Sequence, residues 1–573
     1  MSQARKKLPE YLNEFITTQN YSRYTARDQA TWRCIMRQGR DIFGKTAHPD
    51  YLRGLQETGV PISRIPQVDE MDRLLDQFGW GAVCVEGFIP PAIFLAFQGH
   101  RLLPIACDMR TLEHIAYTPA PDIVHEAAGH APILVDQGYA DYLAAYSIYA
   151  NKAIYSVEDI ALYEAIRTLS DIKENPEYGD VDIRKAEAEL EVAEAALRGI
   201  SEAGLLARMN WWTAEYGLVG DMADPKIFGA GLLSSLMEGE DCVSDRVFKI
   251  PLSVACTEQS YDITNPQPQL YVARSFQHLL EVLEDFGETM SFKRGGAHGL
   301  NQAFEARTVT TTVFDHGLSV SGVLEFYQNY NGTFFLQYGQ GCQISRDSQQ
   351  VEPWGYETLQ DPLFQIVGST DRPCHDINWA PGQKVKIEWL GGVVVNGVVA
   401  SARKIGSQYL VTWESADIKT PHGNFTCQQW PLILGSSVTS VYGGCGDWSR
   451  YQKLQVGKAS TTPGSRVQST KKELKVFEAY QIIRDFREGF RKGNADDFGK
   501  IRSVLESEPK EWLLALEIYE LRCQKNPIFE EWSLWSKLVE SQLEEEHHDP
   551  AIGRLIRHGL RIASVLDEGG KGL

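Results

Sequence analysis

The chain has 573 residues, of which 43% are hydrophobic and 23% charged, an ordinary globular composition that at this length suggests roughly two to four domains. Its formal charge is −20, from 56 basic and 76 acidic side chains, which argues against a nucleic-acid binder and against a partner of anionic membranes. No run of about 18 apolar residues predicts a membrane helix, and the basic start lacks the apolar core of a secretory signal.

In chain order, residues 8–300 read as one large, mainly helical unit. Within it "DEMDRLLDQF" and "SFQHLLEVLEDF" carry apolar residues three and four apart. Residues 170–204, rich in Ala, Glu and Leu, predict an exposed helical insertion. The texture changes near 306. "RTVTTTVF", "GVLEFYQNY" and "GTFFLQYG" alternate β-branched or aromatic residues with polar ones, and Asn331-Gly332 predicts a hairpin. Further glycine-punctuated strands make 306–455 a β-rich domain of small-barrel character. Residues 456–470 have the composition of a linker, and 471–573 read as a helical C-terminal domain. The fold class expected is therefore multidomain: a mainly α first half, a small β-barrel-like region and a C-terminal helical region. The ten cysteines are scattered without a CxxC pair and predict reduced thiols in a cytoplasmic protein.

One stretch carries chemistry: "PDIVHEAAGHAPIL", residues 121–134. His125 and His130 are five apart, one residue more than the HExxH of zinc proteases. On an α-helix such positions lie about 140° apart, so the pair can share an ion only if His125 sits where a helix starts. Pro119, Pro121 and the candidate cap Asp122 suit that reading. Ala127, Ala128 and Gly129 leave room around a metal. A carboxylate from elsewhere would complete a two-histidine, one-carboxylate facial triad, which leaves one side of an iron(II) ion open. A structural role for the two histidines is the alternative.

The stretch from "GFIPPAIF" through "HEAAGHAPIL", together with "NWWTAEYGL" (210–218), "FGAGLLSS" (228–235) and "SYDITNPQPQLYVARSF" (260–276), resembles the tetrahydropterin-dependent aromatic amino acid hydroxylases. The resemblance covers the first half of the chain and implies a hydroxylase catalytic domain over 8–300. It implies His125, His130 and Glu215 as iron ligands, and Arg110 as the grip on the amino acid's carboxylate. Thr118, Trp211, Gly231 and Ser234 are implied as further substrate-binding residues. Phe94 is implied as the aromatic stacked on the pterin, Phe88 as a loop contact to it, and Glu126 as a cofactor-binding and catalytic carboxylate. The cofactors implied are Fe(II) and a tetrahydropterin such as tetrahydrobiopterin, with O2 as co-substrate. Asn210 and Pro104 depart from the family's tyrosine and histidine. A bulky Trp211 favours a one-ring substrate, whereas Ile263 matches tryptophan hydroxylases.

The expected function is thus a monooxygenase converting free phenylalanine to tyrosine. The alternatives are tryptophan 5-hydroxylation, a zinc hydrolase with Glu126 as base, and a non-catalytic binding protein derived from the family. The expected partner is a small-molecule aromatic amino acid, with neither nucleic acid nor membrane, and a homo-oligomer could form through the C-terminal half.

Overall fold

Thr25 shows how the sequence sets the scaffold. Its hydroxyl accepts the Asp28 N–H (3.2 Å) and the Asp28 carboxylate accepts the Thr25 N–H (2.7 Å), a reciprocal cap that starts the Ala26–Thr46 helix. That helix is buried along much of its length, with Trp32, Ile35, Met36 and Phe43 at 3% exposure or less. The computed structural model describes residues 1–85, 89, 91–116, 121–174, 178–262, 265–406, 408–451, 470–524, 526, 535–544 and 549–569. These form two compact units that do not follow chain order. One takes the described residues of 1–145, 208–280 and 459–573; the other takes those of 146–207 and 281–458. No helix among the described residues is long and apolar enough to cross a membrane.

In the first unit, the strands Gly81–Val85 and Leu102–Ala106 pair in parallel, Gly81 opposite Leu102, and the Pro91–Gly99 helix lies between them in sequence. A second sheet orders Asp224–Ile227, Leu218–Asp221, Gln269–Ala273 and Phe248–Pro251 side by side. Cys84 and Cys107 are joined by a disulfide, which corrects the expectation of reduced thiols throughout. The parallel register puts Cys84 opposite Ile105, so Cys107, two residues on, falls on the same face.

The helices Lys471–Arg487, Trp512–Cys523 and Pro550–Gly569 belong to this same unit and pack on Ala26–Thr46. Ion pairs mark the contact. Arg33, 7% exposed, donates to both Glu517 and Glu520. Arg37 reaches Glu520 (2.6 Å) and Arg487 reaches Glu517 (2.7 Å). At the edge, Arg554 pairs with Asp241 (2.8 Å) and Glu240 (2.6 Å), and the His558 Nε2 lies 2.9 Å from Asp41.

In the second unit, Val157–Glu174 and Asp180–Ala196 pack together, and the latter exposes most of its surface, including Val181 and Val192. Thr333–Tyr338 pairs with Leu318–Tyr330 across the expected hairpin, where Asn331 and Gly332 take φ of 50° and 91°. The strands Lys384–Glu388, Val394–Ile405, Gln408–Thr420 and Gly423–Ile433 form an antiparallel meander. Its core holds Trp389 and Trp413. The proposed linker, 456–470, lies outside the described residues except for Thr470, which caps the Lys471–Arg487 helix.

Burial pushes the Glu520 carboxyl up, but Arg33, Arg37 and Arg487 more than offset this and hold it below the usual carboxylate range. A carboxyl depressed on folding adds stability above its unfolded value of about 4.3 and loses it as pH falls through the folded value. Replacing Arg33 with Met leaves two buried carboxylates short of a cation and is expected to cost about 3–5 kcal/mol. Chemical denaturation near pH 7 measures that cost, and the deficit should shrink below about pH 4 as the carboxyls protonate. A loss under about 1 kcal/mol would show that the pairing contributes no more than a surface bridge.

Candidate active site and metal centre

The five-residue spacing of the histidines is explained by a π-helical turn. Val124–His130 is π-helix, closed by the Ala131 N–H on the Glu126 carbonyl five residues back. This wider turn brings residue i+5 back beside residue i. His125 does sit in the first turn of this element, as expected, and the wider turn then brings His130 round beside it. Asp122 does act at the entrance, its carboxylate accepting the His125 N–H (3.1 Å). The second element is built the same way: Trp211–Glu215 is also π-helix, with the Tyr216 N–H on the Trp211 carbonyl (2.8 Å).

The two turns meet at the Glu215 carboxylate. His125 Nε2 lies 3.2 Å from one Glu215 oxygen, and His130 Nε2 lies 3.4 Å from the other. The two imidazole rings are 5.1 Å apart and nearly perpendicular. Donor atoms held about 2.0–2.2 Å from one ion at right angles lie about 3 Å apart, so the spacing fits a shared metal ion. Burial pushes the Glu215 carboxyl up, but His130 and then His125 outweigh it and hold the carboxyl well below its usual range. The Asn210 amide donates to Glu215 Oε1 (3.3 Å), so the residue that departs from the family tyrosine touches a candidate ligand.

Close approach in "FGAGLLSS" depends on glycine. A Cβ on Gly229 would lie 2.4 Å from the Glu215 carbonyl oxygen, and one on Gly231 would lie 2.7 Å from the Tyr216 ring. The Ala230–Leu233 turn therefore sits flush against the Trp211–Glu215 turn. It presents Ser234, whose hydroxyl lies 3.3 Å from His125 Nδ1 and whose carbonyl accepts from Arg110 Nη1 (3.0 Å).

Arg110 is buried and already engaged. Its Nε and Nη2 fork onto Asp122, both at 2.8 Å. Burial raises the Asp122 pKa, and Arg110 more than offsets it, holding the carboxyl below the usual range. Among the described residues, three of the five guanidinium N–H groups are thus spoken for, and two remain.

Trp211 is stacked on both faces, by Tyr216 (4.4 Å) and Tyr261 (4.3 Å), so only its edge is open to a substrate. Its indole N–H meets no acceptor among the described residues. Glu126 is 3% exposed and its Oε2 is likewise unpaired among the described residues. Burial, with smaller effects of Glu215 and Asp122, pushes its carboxyl up to about 8 despite the opposing His130. Phe94 is half-buried on the Pro91–Gly99 helix. Phe88 and Thr118, and Ile263 with them, lie outside the described residues.

The sequence model described as biopterin-dependent aromatic amino acid hydroxylase matches residues 2–153 and 185–328, just over half of the chain. The chain belongs to this family. The hydroxylase match contains the whole site just described. It breaks over 154–184, somewhat before the expected insertion at 170–204, and ends at 328. Among curated relatives, the phenylalanine-4-hydroxylase of Mesorhizobium japonicum is 28% identical over 284 residues, covering 49% of this chain and 85% of that one. That of Chromobacterium violaceum is 25% identical over 275 residues, covering 48% and 75%. A crystal structure of the Chromobacterium violaceum enzyme with bound oxidized Fe(III) has 24% identity and a TM-score of 0.38, and covers 50% of this chain and 92% of that one.

Sequence reasoning missed two contacts here. Asp122, which the sequence marks as a cap and as a match to a family aspartate near the site, is also the partner of Arg110, and the Tyr139 hydroxyl lies 3.4 Å from His130 Nδ1, a contact the sequence does not single out. Neither carries a local signal: an aspartate before a helix and a tyrosine within one are both common. Gly231→Ala should drive a methyl into Tyr216 and the Glu215 carbonyl. Overpacking of this kind costs about 1–3 kcal/mol, readable as a lower melting temperature; an unchanged melting temperature would contradict the close approach.

Proposed function

We propose that this chain is a pterin-dependent monooxygenase that hydroxylates the ring of free phenylalanine to give tyrosine. The observation that carries the reading is the convergence of His125, His130 and Glu215 on one point. Two neutral imidazoles and one carboxylate on one side of a metal are the donor set of non-haem Fe(II) oxygenases. Iron(II), when bound there, supplies oxygen activation together with a tetrahydropterin, and the protein supplies binding, orientation and electrostatics. The unpaired buried Glu126 oxygen supports the pterin, because the ring of that cofactor carries N–H donors able to satisfy it. Phe94 would stack on the same heterocycle, with Phe88 as a loop contact.

For the amino acid, Arg110 offers its two remaining N–H groups to the carboxylate, with Asp122 fixing the fork. Gly231, Ser234 and Thr118 complete that side. The edge of Trp211, held rigid by two tyrosines, bounds the ring pocket and favours a single ring over an indole. The curated relatives named as phenylalanine-4-hydroxylases support the same choice. The finer organisation proposed is a hydroxylase domain followed by a β-rich and a helical segment, supported by the end of the family match at 328.

Purified protein supplied with iron(II), tetrahydrobiopterin and each aromatic amino acid in turn tests the reading. Tyrosine from phenylalanine is expected; 5-hydroxytryptophan from tryptophan would reassign the substrate, and no product from iron-loaded protein would overturn the activity. His125→Ala and Glu215→Ala are each expected to abolish iron retention, measured by elemental analysis; full iron content in either would refute the ligand set. Arg110→Lys keeps the charge but loses the fork. A charge-assisted hydrogen bond contributes about 1.5–3 kcal/mol, so KM for phenylalanine should rise about 10–100-fold while iron content stays level.

A further inference from the structure

Tyr139 stands among the aromatic residues of the first unit, next to the site but with no role in it so far. It lies near the start of the Gln137–Lys152 helix. Asp136 fixes that start, one carboxylate oxygen accepting the N–H groups of Gly138 (2.8 Å) and Tyr139 (3.3 Å). The tyrosine ring is fully buried and packs against Phe228 (5.8 Å) and Phe276 (5.5 Å). Ring packing of this kind explains an aromatic residue but not a hydroxyl, whose burial is costly without a partner. The partner is His130 Nδ1, at 3.4 Å.

The geometry points to Tyr139 as the positioning residue of the metal centre, its hydroxyl accepting the Nδ1–H of His130 so that the Nε2 lone pair is held toward the metal point. This inference rests on the ligand reading proposed above. An imidazole that binds metal through one nitrogen needs its other N–H satisfied, because that bond selects the tautomer and the ring orientation. His130 is 2% exposed, so bulk water does not supply the acceptor. His125 is the more exposed of the two rings and turns its Nδ1 to Ser234. Both imidazoles are thus backed by neutral hydroxyls rather than carboxylates. A neutral acceptor adds no charge, so the positive charge of a divalent ion is reduced by Glu215 alone.

The test is metal binding, not turnover. Cobalt(II) is titrated into metal-free protein of full length, following its visible absorption as the spectroscopic signature of ligand geometry. Tyr139→Phe removes one oxygen and keeps the ring. It is expected to bind cobalt about 10–100-fold more weakly than wild type, the usual cost of losing such an outer partner. An altered spectrum and an unchanged melting temperature of the metal-free protein are expected with it. Phe276→Leu disturbs the same packing and keeps the hydroxyl, and is expected to lower the melting temperature while leaving affinity and spectrum at wild-type values. Wild-type affinity and spectrum in Tyr139→Phe would overturn the inference, as would an equal loss of affinity in Phe276→Leu. His130→Ala separates the two readings. If it titrates like wild type, the ligand set itself fails; if it loses binding while Tyr139→Phe does not, only the role of Tyr139 fails.

Discussion

The contact on which the rest of the site depends is the carboxylate of Glu215 held between two imidazoles. Three groups that each prefer water are drawn together from two turns about ninety residues apart in the chain. Both turns that bring them within reach are π-helical. Such turns are rare because their hydrogen bonding is less favourable, and they persist where surrounding packing enforces them. Here that packing comes from the Ala230–Leu233 turn, which lies against the Glu215 carbonyl because Gly229 and Gly231 have no side chain to intervene.

The same turn links the candidate metal point to the proposed substrate anchor. Ser234 faces His125 through its hydroxyl and Arg110 through its carbonyl, while Asp122 faces Arg110 through its carboxylate and the His125 backbone through the same group. A buried arginine and a buried aspartate are expensive to desolvate, and the bidentate geometry is what makes the pair tolerable. The consequence is rigidity: the guanidinium cannot swing without breaking its bonds to Asp122 and Ser234, the same two residues that contact the first histidine. A ligand carboxylate would meet donors whose direction is already fixed, so little ordering is left to binding.

The C-terminal helices raise a different question, since they lie outside the family match yet belong to the same compact unit as the site. Arg33, Arg37 and Arg487 with Glu517 and Glu520 form a buried cluster on the Ala26–Thr46 helix. Such clusters add little net stability compared with apolar packing, but leaving one member unpaired is costly. Their effect is to make one docking position acceptable and others unfavourable. Apolar residues around them, among them Leu513, Leu514 and Ile518, supply the burial that drives association.

The sequence by itself determined the chemistry. The residue types in "HEAAGH" and "NWWTAEYGL", with the resemblance of four blocks in order, led to the three candidate ligands, and alternation with an Asn-Gly turn led to the hairpin at 331–332. These features are local, or are carried by side-chain identity, so they can be read along the chain. Tertiary structure alone decided the rest. The π turns follow from packing, because the spacing of the histidines fits a helix start as well as a wider turn. The pairing of Arg110 with Asp122, of His130 with Tyr139 and of Cys84 with Cys107 depends on strand register and turn geometry that no residue announces. The placing of the last hundred residues depends on contacts between positions almost five hundred apart, where sequence pattern shows an apolar or charged helix face but not which surface it will meet.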